Sequence, residues 1–173
     1  MNSLFDPLGF LAPVTIEGRL LLRELSTQDT EWDTCLPKAK YEDWRKWHES
    51  LSTLKEVHIP RTYASFSISK AQHTELCAFS DASVKAISAV AYLKVTNEQG
   101  QGEVGFVFGK SKLAPQPELT IPRLELCAAV LAVEIAELVI REIDLKMETV
   151  KFYTDSRVVL GYNTMRQEDF MCM

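Results

Sequence analysis

Leu119-Thr120-Ile121-Pro122-Arg123-Leu124-Glu125-Leu126-Cys127-Ala128-Ala129 is where the chain changes period, and its reading decides the fold. Before it, apolar residues alternate or run in short β-compatible stretches. After it, they recur every three or four positions. Thr120-Ile121-Pro122 opens a helix, because a proline in the first turn lacks only an N–H that would have no helical partner anyway. The expected apolar face runs Leu124, Cys127, Leu131, Ile135 and Leu138, with Glu134, Glu137, Arg141 and Glu142 outward, and the pattern ends near Glu142. Ala128, Ala129 and Ala132 give this helix a small-residue side. Glu125 is therefore expected against a close-packed surface rather than in open water.

Upstream, Leu76 to Ser80 is a short apolar run, Ala86 to Val95 is rich in small and β-compatible residues, and Glu103 to Phe108 follows. Asn97-Glu98-Gln99-Gly100 supplies turn chemistry for a hairpin, so the three segments read as a meander of strands. Tyr63 to Ser69 alternates as well and reads as part of this strand-rich region. Downstream, Val150 to Thr154 is a strand and Arg157 to Tyr162 a short helix. The order β-β-β-α-β-α describes an α/β domain with a mixed sheet.

Ahead of Pro60 the texture is helical. Phe5-Asp6-Pro7-Leu8-Gly9-Phe10-Leu11-Ala12-Pro13 reads as an ordered, apolar loop, followed by a helix over Val14 to Leu25. Pro37 opens a second helix in which Tyr41, Trp44, Trp47 or His48, Leu51 and Leu54 form one stripe. Trp44 and Trp47 are expected as core residues rather than base-stacking groups.

With 173 residues, 46% of them hydrophobic, the chain can bury one good core or two small ones. No apolar run approaches the roughly 20 residues that span a bilayer, and no basic-then-apolar leader opens the chain, so a soluble intracellular protein is expected, cytoplasmic or nuclear. Cys35, Cys77, Cys127 and Cys172 are too scattered for a zinc site and read as reduced packing thiols. His48, His58 and His73 accompany no recognisable nucleophile motif and read as surface or packing residues. The net charge of -5 provides no overall positive field, so any surface for nucleic acid must be local or supplied by a neighbouring domain.

Three acids sit where the structure type changes: Asp81 after a strand, Glu125 in the first turn of the long helix, and Asp155 after the next strand. Strand ends and helix starts on one edge of an α/β sheet hold ligands, and clustered carboxylates there suit Mg2+. Each acid also has an ordinary reading. Asp81 can be a turn residue, Glu125 a glutamate placed by the helix dipole, and Asp155, with Ser156, a helix cap.

Phe79-Ser80-Asp81-Ala82-Ser83, Pro122-Arg123-Leu124-Glu125-Leu126 and Tyr153-Thr154-Asp155-Ser156-Arg157 together resemble the ribonuclease H series of retroelements. With Lys110-Ser111-Lys112 and the early Asp6-to-Pro13 stretch, the chain is similar to the Pao (BEL/Pao) retrotransposon family over nearly its whole length. The resemblance implies a ribonuclease H-like α/β fold preceded by a small helical segment. Residues 1–60 would be a reverse-transcriptase connection-like segment and residues 72–173 the nuclease. It implies cleavage of the RNA strand of RNA–DNA hybrids, with Asp81, Glu125 and Asp155 holding Mg2+ or Mn2+. Ser83, Ser156 and Arg157 would line the substrate groove, Thr154 belongs to the same motif, and other polyprotein domains are implied partners. The family's nuclease continues through a further strand and a helix bearing a fourth carboxylate. The sheet is accordingly expected to be C-terminally incomplete, with an uncovered edge, and Glu168 and Asp169 are expected as solvated charge. A catalytically inactive remnant or scaffold is the alternative. The family also carries a peptidase label, but an aspartic peptidase needs an Asp-Thr-Gly or Asp-Ser-Gly turn, and here Asp155-Ser156 is followed by Arg157 and Asp81 by Ala82.

Overall fold

The computed structural model describes residues 4–26 and 35–164. The chain divides into two compact units, Met1–Ile59 and Pro60–Met173.

In the first unit the Asp6 carboxylate accepts the backbone N–H of Gly9 at 3.0 Å and of Leu11 at 2.8 Å, which closes the opening loop onto helix α1 (Ala12–Ser26). Gly9 turns the chain at φ 84°, a backbone region open to glycine at little cost. Helix α2 (Lys38–Ser50) packs on α1, where the Trp47 indole N–H donates to the Val14 carbonyl at 2.8 Å and Lys40 pairs with Glu24. The expected aromatic stripe is only half realised. Trp47 is half-buried, whereas Trp44 is exposed and stacked on His48 at 5.1 Å. One helix covers only one side of a stripe this wide. Past Ser50 the chain tightens into a short 3-10 helix, Leu51–Glu56.

The second unit is built on strands β1 (Ala71–Ala82), β2 (Ala86–Asn97) and β3 (Gly102–Leu113), then helix α3 (Ile121–Glu142), strand β4 (Thr149–Tyr153) and helix α4 (Arg157–Thr164). This is the expected order. The sheet runs β3-β2-β1-β4, with β1–β2 and β2–β3 antiparallel and β1–β4 parallel. A parallel return needs a crossover, and α3 supplies it while packing across β1 and β2. The hairpin between β2 and β3 forms where Asn97-to-Gly100 predicts it. The Asn97 Oδ1 accepts N–H groups of Gln99 and Gln101, and Gly100 adopts φ 77°.

The core joins Leu76 and Ala78 of β1, Ala89, Ala91, Leu93 and Val95 of β2, and Val107 of β3 to one face of α3. That face differs from the expectation. Leu124, Ala128, Leu131, Ala132, Ile135, Ala136 and Val139 are buried, while Cys127 and Leu138 are half-buried. The sheet presents alanines to the helix, so the alanine stripe sits inward and lets the two surfaces approach closely.

Tyr63 to Ser69 is not a strand. It bends over the sheet and ends in a 3-10 turn, Ile68–Lys70, while Tyr63, Ala64, Phe66 and Ile68 press into the core. Its backbone is satisfied elsewhere: the Glu103 carboxylate takes the Ser65 N–H at 2.7 Å and its hydroxyl as well. A Cβ built on Gly105 would stand 2.5 Å from the Tyr63 carbonyl oxygen, so glycine is what lets this segment cross β3. Cys35 is exposed ahead of α2, outside any core, which corrects the packing role expected for it. Cys77 is buried and Cys127 half-buried. Cys172, Glu168 and Asp169 lie outside the described residues. No helix among the described residues is long and apolar enough to cross a membrane.

Candidate metal centre

The β1–β4 register builds the site. Glu75 to Phe79 pair in order with Thr149 to Tyr153, so continuing the two strands by two residues sets Asp81 beside Asp155. Helix α3 lies across β1 and β2 and brings Glu125 to that end. One ligating oxygen from each of Asp81, Glu125 and Asp155 lies within 4.8 Å of the others.

The turn and cap roles open to Asp81 and Asp155 are filled by other groups. In the β1–β2 turn, Ser83 makes the closing bonds: its N–H donates to the Ala86 carbonyl at 2.8 Å, and its Oγ accepts the Ala86 N–H at 3.1 Å. Asp81 stands within β1, paired with Ser88, which corrects its expected place after the strand. The cap of α4 is Ser156, whose Oγ accepts the Val159 N–H at 3.4 Å, and the Thr154 hydroxyl accepts the Ser156 N–H at 3.2 Å. Asp155 makes neither bond. Glu125 is the fifth residue of α3, beyond the first turn, where the dipole argument weakens.

Asp81 and Asp155 are exposed, and Glu125 is half-buried beside the packed Leu124 and Ala128. The Glu125 Oε2 is buried with no hydrogen-bond partner. Burial pushes the Glu125 carboxyl above its ordinary range, and the nearby Asp155 and Asp81 charges push it the same way. A buried acceptor without a donor, facing two further carboxylates, is costly bare and favourable once a cation sits among the oxygens. The donor set is all oxygen, which selects hard ions such as Mg2+ or Mn2+ over zinc. The residues present therefore fit such an ion.

Arg157 opens α4, exposed and without an ion pair among the described residues. The hydroxyls of Ser83 and Ser156 are engaged with backbone, so these two residues shape the loops that flank the carboxylates. Glu75 and Lys151, which meet farther down β1 and β4, carry no local signal in the sequence. Their complementarity appears only once the register of two strands distant in sequence is known.

No curated protein matches the chain. Among solved structures, that of the foamy viral protease-reverse transcriptase dRH in complex with double-stranded DNA is similar at 14% identity with a TM-score of 0.37. The match covers 98% of this chain and 30% of that one, so this chain spans less than a third of the viral protein's length. Residues 1–156 match the family model of the Pao retrotransposon-like RNaseH-like domain. With the strand order, the crossover helix and the three converging carboxylates, that match over most of the sequence makes this chain a member of the Pao retrotransposon-like RNaseH-like domain family.

Proposed function

We propose that the chain is a metal-dependent nuclease that cuts the RNA strand of RNA–DNA hybrids, with Asp81, Glu125 and Asp155 as metal ligands. The observation that carries this reading is the convergence of the three carboxylates, one of which, Glu125, has a buried Oε2 without a hydrogen-bond partner. Mg2+ or Mn2+ held there supplies water activation and charge neutralisation at a phosphodiester. Asp81 and Asp155 hold the open side of the site, where a phosphate can approach. Glu125 closes the side toward the core and excludes water behind the ions. Arg157, exposed at the start of α4 and without an ion pair among the described residues, is the cation placed to contact a substrate phosphate. Ser83 and Ser156 line the groove by fixing the turns on either side. On this reading residues 1–60 are the connection-like segment and residues 72–173 the nuclease, working inside the cell beside other polyprotein domains that add the positive surface a chain of net charge -5 does not supply.

Purified chain, a labelled RNA–DNA hybrid and Mg2+ or Mn2+ test the proposal. Asp81→Asn and Asp155→Asn should each lower cleavage at least about a hundredfold, on the order of 3 kcal/mol of transition-state stabilisation. The same RNA as a single strand should resist. A folded wild-type chain that leaves the hybrid intact would refute the nuclease reading and leave an inactive scaffold in its place.

A further inference from the structure

The carboxylates meet only if β4 pairs with β1 in one register. β4 has five residues, and β1 is its one strand neighbour among the described residues. On the side facing α3, Val150 and Phe152 pack against the core. Two apolar residues in alternation fix which face is inward, but they tolerate a slip of two residues, since one replaces the other.

The opposite side is more exacting. Lys151 pairs with Cys77 across the strands, and its ammonium reaches diagonally to the Glu75 Oε2 at 2.7 Å. The Glu75 side chain is 4% exposed. The Cys77 thiol donates to the other Glu75 oxygen at 3.1 Å, and the His73 Nε2 stands 3.9 Å from Oε2. One row nearer the acids, Phe79 and Tyr153 are direct partners with rings stacked at 4.6 Å and 12°. Asp81 and Asp155 each follow two residues later. A slip of two residues toward Phe79 would carry the ammonium about 7 Å from Glu75 and leave that buried carboxylate only its β2 neighbour Lys94. A slip the other way would part the stacked rings of Phe79 and Tyr153. Either slip would remove Asp155 from Asp81.

We propose that the Glu75–Lys151 pair is the register lock of the site, a positioning pair that touches neither metal nor substrate but sets Asp155 beside Asp81. This rests on the reading of the three acids as metal ligands. Mn2+ affinity, measured by titration calorimetry on the folded full chain, tests it without depending on cleavage. Circular dichroism and melting curves establish that each variant is folded at the titration temperature. Lys151→Met should weaken Mn2+ binding at least tenfold and Glu75→Gln three- to tenfold. The double variant should be no weaker than Lys151→Met, because its two changes remove one interaction. A pair that merely stabilises the fold would lower the melting temperature and leave the affinity of the folded chain unchanged. If Lys151→Met does not fold, Glu75→Gln, which keeps the size of the side chain and one acceptor oxygen, decides. Asp81→Asn separates the two proposals. If it loses Mn2+ while folded Glu75→Gln and Lys151→Met bind as wild type does, the positioning role is overturned and the metal site stands. If Asp81→Asn binds as wild type does, the metal site itself is wrong and the register lock falls with it.

Discussion

Replacing Glu125 by glutamine should make the metal-free protein more stable and should cut most of the stability it gains from Mn2+. Its ligating oxygen lies within 4.8 Å of one on Asp81 and one on Asp155. Two unit charges at that distance repel by about 1 kcal/mol in water, and by about half that after screening at physiological salt. Two such pairs end on Glu125, so neutralising it relieves roughly 1–2 kcal/mol, and an amide also costs less than a carboxylate at the buried Oε2 position. For a unit of this size that corresponds to a rise in melting temperature of roughly 5 °C. Mn2+ at a hundred times its dissociation constant should stabilise the wild type by about 2.7 kcal/mol and the variant by far less. The order of the two melting curves therefore inverts between EDTA and Mn2+. The advantage of the variant should also depend on pH. Because the Glu125 carboxyl is raised above its ordinary 4.5, its favourable contribution is complete below that pH and is lost as pH rises through the raised value. Wild type and variant should thus melt alike in acid and separate toward neutrality. Scanning calorimetry at pH 4 and pH 7, with and without metal, reads all of this. A variant less stable than wild type in EDTA, or one that gains as much from Mn2+, refutes the reasoning.

Gly105→Ala should destabilise the second unit by about 1–3 kcal/mol, since the new methyl meets the backbone of Tyr63 and that segment must lift from the sheet. An unfolding free energy from urea titration within about 0.5 kcal/mol of wild type, the range of ordinary surface substitutions, would show that the crossing is looser than described. Glu75 titrates in the opposite sense to Glu125. The Lys151 hydrogen bond holds its carboxyl below 4.5 despite burial, so its contribution is present above that pH and lost as pH falls through the lowered value. Urea unfolding from pH 3 to pH 7 should accordingly show the gap between wild type and Glu75→Gln closing in acid, and a gap independent of pH would contradict the assignment.

Much of this architecture is legible in local chemistry. Thr120-Ile121-Pro122 starts α3 where a proline fits, and Asn97-to-Gly100 turns the hairpin through the Asn97 side chain. Asp81, Glu125 and Asp155 stand out because each falls close to a change of structure type, Asp81 near the end of β1, Glu125 near the start of α3 and Asp155 between β4 and α4. What escaped the sequence depends on partners distant in the chain. Alternation at Tyr63 to Ser69 reports a segment lying with one side on a core, and the absence of a ladder is visible only through Glu103 and Gly105. The inward face of α3 is set by the alanines of β1 and β2 as much as by its own leucines. Asp155 and Ser156 compete as caps on paper, and only the placed Ser156 hydroxyl decides.

The parallel pairing of β1 with β4 also fixes when the centre can come into being. The meander β1-β2-β3 closes through short turns, but Lys151 finds Glu75 across 76 residues of chain. Such a closure bears the larger entropic penalty and comes late on a path that favours local contacts. During synthesis the hairpins holding Asp81 can assemble while Asp155 is still to be made. On the reading of the three acids as metal ligands, divalent ion binding is thus tied to β4 rather than to β1, and a chain arrested before β4 docks would hold a nearly complete core and no centre at all.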